Sequence, residues 1–242
     1  MRQRIKRFQY IFQAVFIGIA YKCGAIALNK NGTVREVAEE ASKFFCRNLP
    51  LPSRRHLDNS LRVRRIEAEC IRDSVLAISG RLDPTPYGPS VLPYLSPDME
   101  GRGKPDKSGP LDGNGRRSIY INVRRNFITS LFLAFDYPIP FSCIGKRTVS
   151  NVPAQALAMM NNPFILQQAD LWGTKALAEQ GLSTDQRIQS IYEDAFARPA
   201  TQLELKQALD FIHVQPDGAN NPQAWGDICH VLMNVKEFIY LN

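Results

Sequence analysis

Residues Val63 to Leu82 read VRRIEAECIRDSVLAISGRL, and this stretch decides the architecture because it has the period of a helix that turns one face to a core. At 100° per residue Val63, Ile66, Ala68, Cys70, Ile71, Val75, Ala77 and Ile78 cover one broad arc, and Arg64, Glu67 and Ser74 project from inside it. Ser79-Gly80 supplies the stop, since glycine suits the left-handed position that follows a helix. An ionised Glu67 on the apolar arc requires a cation, and Arg64 is the nearest in sequence. The expected arrangement is a buried ion pair that sets register, with a catalytic carboxylate or simple exposure as the alternatives. Arg65, Glu69 and Asp73 stack at successive fours on the other side, with Arg72 close by, which reads as solvated pairing worth about 0.3 kcal/mol per pair.

Downstream of this helix the composition changes. Residues 83 to 115 hold seven prolines and six glycines, a density that breaks helices and strands and predicts a long loop. Pro84-Thr85-Pro86-Tyr87-Gly88-Pro89 predicts tight turns that hold Tyr87 against the fold, and Gly101 to Gly115 predicts a mobile piece. Gly101-Arg102-Gly103-Lys104 has neither the preceding strand nor the following helix of a phosphate loop. Arg117 to Arg125, RSIYINVRR, alternates as a strand, with Ile119, Ile121 and Val123 on a buried side and Ser118, Tyr120, Asn122 and Arg124 on the other. Ser90-Val91-Leu92 is its expected antiparallel partner. Phe127 to Phe135 is an apolar run ending at Asp136-Tyr137-Pro138, where Asp136 can accept from an arginine, cap a turn or act in catalysis.

The carboxyl-terminal part reads as a series of capped helices. Asn151 and Pro153 open one that runs to about Met160, and Asn161-Asn162-Pro163 restarts the chain into another ending at Gly181. Ser183 with Gln186 and Thr201 with Glu204 form capping boxes, Arg198-Pro199 separates those two helices, and Pro222 opens the last. Short connections between amphipathic helices predict a bundle.

Upstream, Met1 to Ala27 has the order of a secretory leader, basic residues then an apolar run then Ala25-Ile26-Ala27, although Gln13 and Tyr21-Lys22-Cys23 interrupt it. Export or anchoring, an ordinary packed helix and a start not belonging to the native domain remain the alternatives. Thr33 to Glu36 caps a short amphipathic helix expected over 34 to 46. Residues 1 to 53 thus form a leader-like segment with one helix, and residues 54 to 242 the main domain.

With 242 residues and 44% hydrophobic content the chain can bury a substantial core. Its charge of +7 divides into +12 over residues 1 to 150 and −5 over residues 151 to 242. The positive residues are scattered over several segments, so nucleic acid is not an expected partner; binding by the basic half is kept as a further alternative. Cys23, Cys46, Cys70, Cys143 and Cys229 lack C-x-x-C spacing, which removes zinc-ribbon, thioredoxin-type and covalent haem motifs. Cys70 and Cys229 are expected as buried thiols. His56, His213 and His230 do not suggest a metal site, and no order of Ser, His and Asp suggests acyl transfer.

Arg64-Arg65-Ile66-Glu67-Ala68-Glu69, Ile71-Arg72-Asp73, Ser79-Gly80, Arg117-Ser118-Ile119-Tyr120, Phe135-Asp136, Arg147-Thr148, Pro153-Ala154-Gln155-Ala156-Leu157, Asn161-Asn162-Pro163-Phe164 and Glu237-Phe238-Ile239-Tyr240 together resemble one family. It is domain of unknown function 1553, a planctomycete surface-protein domain. The resemblance covers roughly 60 to 242 and not residues 1 to 53. It implies no assigned activity, an envelope or periplasmic setting, and association with a cytochrome c-like module, whose Cys-x-x-Cys-His this chain does not carry; no cofactor is expected here. Cytochrome c-like or other envelope proteins, or a glycan, are the partners it suggests.

The expected fold is mainly α, a helical bundle with a small antiparallel β ribbon and a long Pro/Gly-rich loop. The expected polar network comprises Arg64, Glu67, Arg72, Asp73, Arg117, Tyr120, Arg124, Asp136, Arg147, Gln155 and Asn161. The expected function is a terminal interaction or substrate-binding module of an exported, envelope-associated protein. The alternative is a glycan-acting hydrolase with Glu67 or Asp136 as acid or base.

Overall fold

Helix α1 spans Ala68–Ile78 and begins later than the pattern from Val63 predicts. Its buried residues are Ala68, Ile71, Arg72, Val75 and Leu76, a stripe at three- and four-residue spacing. Val63 lies 65% exposed, and Cys70 is exposed as well, contrary to expectation. The charge within the apolar stripe is therefore Arg72, while Glu67 is the N-cap residue. Residues just before α1 are not helical because they pair with the chain's end: β1 (Arg64–Arg65) runs antiparallel to β2 (Tyr240–Leu241), and the Ile66 amide donates to Ile239 O at 2.9 Å. Helix α1 stops as expected, with Ser79 at the C-cap and Gly80 at φ +74°.

The structure, a computed structural model, describes residues 63–241 apart from 98, 142 and 180. The leader-like segment, the helix expected over 34 to 46, His56, Cys23 and Cys46 lie outside the described residues. The described unit is Val63–Asn242.

Seven more helices follow: α2 (Ser130–Ala134), α3 (Pro153–Asn161), α4 (Pro163–Ala178), α5 (Thr184–Phe196), α6 (Gln202–Val214), α7 (Pro222–Met233) and α8 (Lys236–Ile239). The fold is mainly α with one small antiparallel ribbon. Both expected capping boxes are formed, Ser183 with Gln186 and Thr201 with Glu204. Asn162 and Asn221 cap the two other proline-led helices, whereas Val152, not Asn151, precedes α3.

At the centre α4 packs on α7. Gly173 and Gly226 face each other there, and a Cβ on Gly173 would collide with the backbone of Trp225 and Gly226. Trp172, Trp225, Ile165, Ile188, Ile212 and Met233 fill the surrounding core, and Cys229 is buried in it as predicted.

The segment Arg117 to Arg125 is not a strand. Ser118–Tyr120 forms a 3-10 turn, because the Ser118 amide and hydroxyl donate to Asp73 Oδ1 at 2.8 and 2.6 Å and draw that residue inward. The predicted alternation of faces does not hold: Ser118 is buried and Ile121 packs partly against the core, while Ile119 and Val123 are 64% and 51% exposed. The expected partner is the right one, but Val91 and Ile121 form a single parallel bridge, not an antiparallel ribbon. Within the Pro/Gly-rich loop, Gly113 and Gly115 are buried at positive φ, and a Cβ on Gly115 would strike Arg81 O, so this part is packed against the body. Tyr87 is 83% exposed, with its backbone, not its ring, fastened: its amide donates to the Tyr120 hydroxyl at 2.7 Å and its carbonyl accepts from Arg116.

Candidate functional site

Helix α1 and the segments around it bring most of the predicted polar residues into three arginine and carboxylate clusters. The first surrounds Asp136, which follows α2 with φ +58°, a conformation that a short polar side chain tolerates better than a bulky one. Arg65, buried on the ribbon, donates to Asp136 Oδ2 at 2.8 Å, to Phe135 O at 3.3 Å and to Ser150 O at 2.7 Å. The Ser150 amide reaches Asp136 Oδ2 at 2.8 Å and its hydroxyl reaches Oδ1 at 2.9 Å. Gln155 completes the set by donating to Ser150 O at 3.1 Å. Burial alone would raise the Asp136 carboxyl, but the Ser150 amide, Arg65 and the Ser150 hydroxyl outweigh it and hold the group below the ordinary carboxylate range.

The second cluster lies at the start of α1. Arg147 makes a two-pronged contact with Glu69, 2.8 Å on each side, and approaches Glu67 Oε2 at 3.2 Å. Its guanidinium also lies over the Tyr137 ring at 5.9 Å. The hydrogen bonds that Arg147 donates to Glu69 are the main reason that its side chain holds its proton even more tightly than usual. Cys70 sits beside this acidic pair; partial burial first, then Glu67, Glu69 and Asp73, push its thiol up, away from nucleophilic chemistry.

The third cluster is built on Arg72. Its guanidinium donates to Arg116 O at 2.9 Å, Ser118 Oγ at 3.2 Å and Asp112 O at 2.7 Å, lies 3.5 Å from Asp73 and stacks at 5.5 Å on Phe164. Arg117 Nε approaches Asp73 from the solvent side at 3.6 Å. Arg116 covers the Tyr120 ring at 4.1 Å. Burial lowers the Arg72 side chain from the usual arginine value, and Asp73 and Asp112 offset part of this.

Several expectations require correction. The pair of Glu67 with Arg64 does not form: Glu67 has a 47% exposed side chain and meets Arg147 instead, because at the N-cap it points away from the helix's buried stripe. Arg64, Arg124 and Asn161 are exposed and stand outside the buried clusters; Asn161 turns back to Leu157 O at 3.0 Å. Arg65 and Asp73, read as members of a solvated row, are instead cluster residues, Arg65 fully inside. Sequence reasoning also missed Arg65 and Ser150 as the partners of Asp136, since 71 and 14 positions separate them. A fourth cluster escaped notice as well: Arg198 joins Glu204 at 3.0 Å and Glu237 at 2.7 Å across α6 and α8, beside Tyr192. Glu204 had a visible role as a cap, but nothing local announces its arginine.

The surface hollows are shallow and apolar. One of about 270 Å³ lies between Val123, Arg124, Phe127, Phe132 and Tyr137, and another of about 490 Å³, its open mouth included, between Arg72, Tyr94, Leu111, Leu131 and Phe164. Neither Glu67 nor Asp136 lines them. Among the described residues no group of three His, Cys, Asp or Glu side chains converges as a metal site, and no helix is long and apolar enough to cross a membrane. His230 is buried with Nε2 3.1 Å from Met159 O.

No curated protein and no solved structure matches this chain. A family model described as a protein of unknown function (DUF1553) matches residues 51–212, which include all three clusters around α1 and the helices from α2 to most of α6. The chain belongs to the DUF1553 family.

Proposed function

We propose that this domain is a non-catalytic interaction module of an exported, envelope-associated protein. The observation that carries the reading is the state of the two carboxylates best placed by sequence for acid–base work. Asp136 has its oxygens occupied by Arg65 and Ser150, and Glu67 shares Arg147 with Glu69. A general acid needs a carboxyl whose proton affinity is raised toward the working pH, and a general base needs a free lone pair directed at substrate. Asp136 has the opposite shift, and neither residue lines either of the two hollows described above.

The glycan-hydrolase alternative makes a separable prediction. The full chain is applied to a glycan array and, in parallel, to a release assay on the same glycans without added cofactor. The module reading predicts no release of reducing ends above buffer, whatever the array shows. Turnover that disappears in Glu67→Gln or Asp136→Asn would replace it with the hydrolase.

A further inference from the structure

Between Tyr137 and Arg147 three apolar side chains are open to solvent: Ile139 is 52%, Phe141 64% and Ile144 48% exposed. A single exposed apolar side chain is ordinary, but three within six positions form a patch that water does not favour. Both ends of the loop are pinned. Asp136 is held by Arg65 and Ser150, and Arg147 by Glu69 and Glu67. Pro138 and Pro140 restrict the backbone between these clamps.

Cations outnumber acids in the flanking sequence: residues 114 to 150 contain six Lys or Arg and a single acid, Asp136, while Glu67 and Glu69 meet the loop only through Arg147. Arg124 flanks the hollow that Tyr137 also lines, Arg125 follows it, and Lys146 lies on the loop itself. Among the described residues none of these three makes an ion pair.

We propose that the 138–146 loop is a shallow membrane-insertion element, with Ile139, Phe141 and Ile144 entering the headgroup and acyl boundary while Lys146, Arg124 and Arg125 meet anionic headgroups. The inference rests on the reading of the domain as an interaction module, whose partner surface it names. Exposed apolar side chains beside cations that make no ion pair suit an anionic bilayer, which accommodates any shape, better than a protein partner, which would have to offer a matching socket. Each cation close to an anionic leaflet strengthens attachment about fivefold, so three contribute on the order of a hundredfold. That part is lost in high salt, which shortens the reach of each charge.

The test uses the full chain with sedimenting vesicles of phosphatidylcholine alone and of phosphatidylcholine mixed equally with phosphatidylglycerol. The expected result is partition onto the mixed vesicles, weakened at least about tenfold on phosphatidylcholine alone or in high salt. Phe141→Asp with Ile144→Asp abolishes partition without moving the thermal transition. In a second arm, Phe141→Trp shifts its emission to the blue on binding and is quenched by brominated lipid; Trp172 and Trp225, 1% and 0% exposed, supply a constant background. The proposal is overturned if the unaltered chain stays in solution with the mixed vesicles, or if the double aspartate variant sediments as well as the parent, which would leave surface charge without insertion. A failure here leaves the non-catalytic reading intact, whereas turnover in the glycan assay removes that reading whatever the vesicles show.

Discussion

Asp136 and Arg147 take part in outwardly similar ion pairs, yet their surroundings give them different weights. The Arg65 side chain is 3% exposed and Asp136 20%, whereas Arg147 is 38% exposed and its partner Glu67 47%. Solvent screens the second cluster, so Arg147→Ala is expected to cost under about 1 kcal/mol in urea unfolding. Linkage makes the pH dependence of the first cluster explicit. The Asp136 carboxyl is held below its ordinary value, so its stabilisation is fully present above the unfolded-state value near pH 4 and is lost as pH falls through the folded value. Urea midpoints of the parent chain are expected to fall faster below pH 4 than those of Asp136→Asn, which lacks the group; parallel curves would contradict the assignment. None of this was legible residue by residue, since a helical wheel scores Arg65 and Arg72 as polar and cannot know that loops 70 and 44 positions away bring carbonyls to them.

At the scale of elements, what could be read from sequence depended on how local the stabilising interactions are. The capping boxes of α5 and α6 and the proline-led starts of α3, α4 and α7 involve residues within four positions of one another, and all formed as predicted apart from the Val152 cap. Thr201→Ala is expected to destabilise the domain by about 1 kcal/mol in thermal unfolding, because the Glu204 amide loses its acceptor, the Thr201 hydroxyl. By contrast, the alternation of residues 117 to 125 was overridden by one distant carboxylate, Asp73, which pulls Ser118 inward and turns a predicted strand into a 3-10 turn. The start of α1 was misread for the same reason: a pairing between Arg64–Arg65 and Tyr240–Leu241 spans nearly the whole described unit. The α4 and α7 contact is equally non-local, and Gly173→Ala is expected to cost about 2 kcal/mol because the added methyl has only backbone to displace. Circular dichroism melts of that variant beside a Gly145→Ala control, where a Cβ meets nothing nearby, would show whether close helix approach sets the cost.

For the molecule as a whole, the helical bundle forms the bulk of the core, and arginines fasten the irregular segments to it. Arg65 joins the ribbon to residues 135 and 150, Arg72 joins α1 to the Asp112 to Ser118 stretch, and Arg198 joins α6 to α8. Guanidinium suits this work because its planar fork satisfies several carbonyls and a carboxylate at once. In such an arrangement the inward-facing carboxylates serve cohesion, which is what supports the proposed non-catalytic reading. The most direct test of that claim is a double-mutant cycle on Arg65→Met and Asp136→Asn, followed by urea unfolding at neutral pH. Fastening of the fold by this pair predicts that each single substitution is destabilising, Arg65→Met by about 3 kcal/mol, and that the two are coupled by about 2 kcal/mol. Effects that add to within about 0.5 kcal/mol would contradict it and leave Asp136 free for another role.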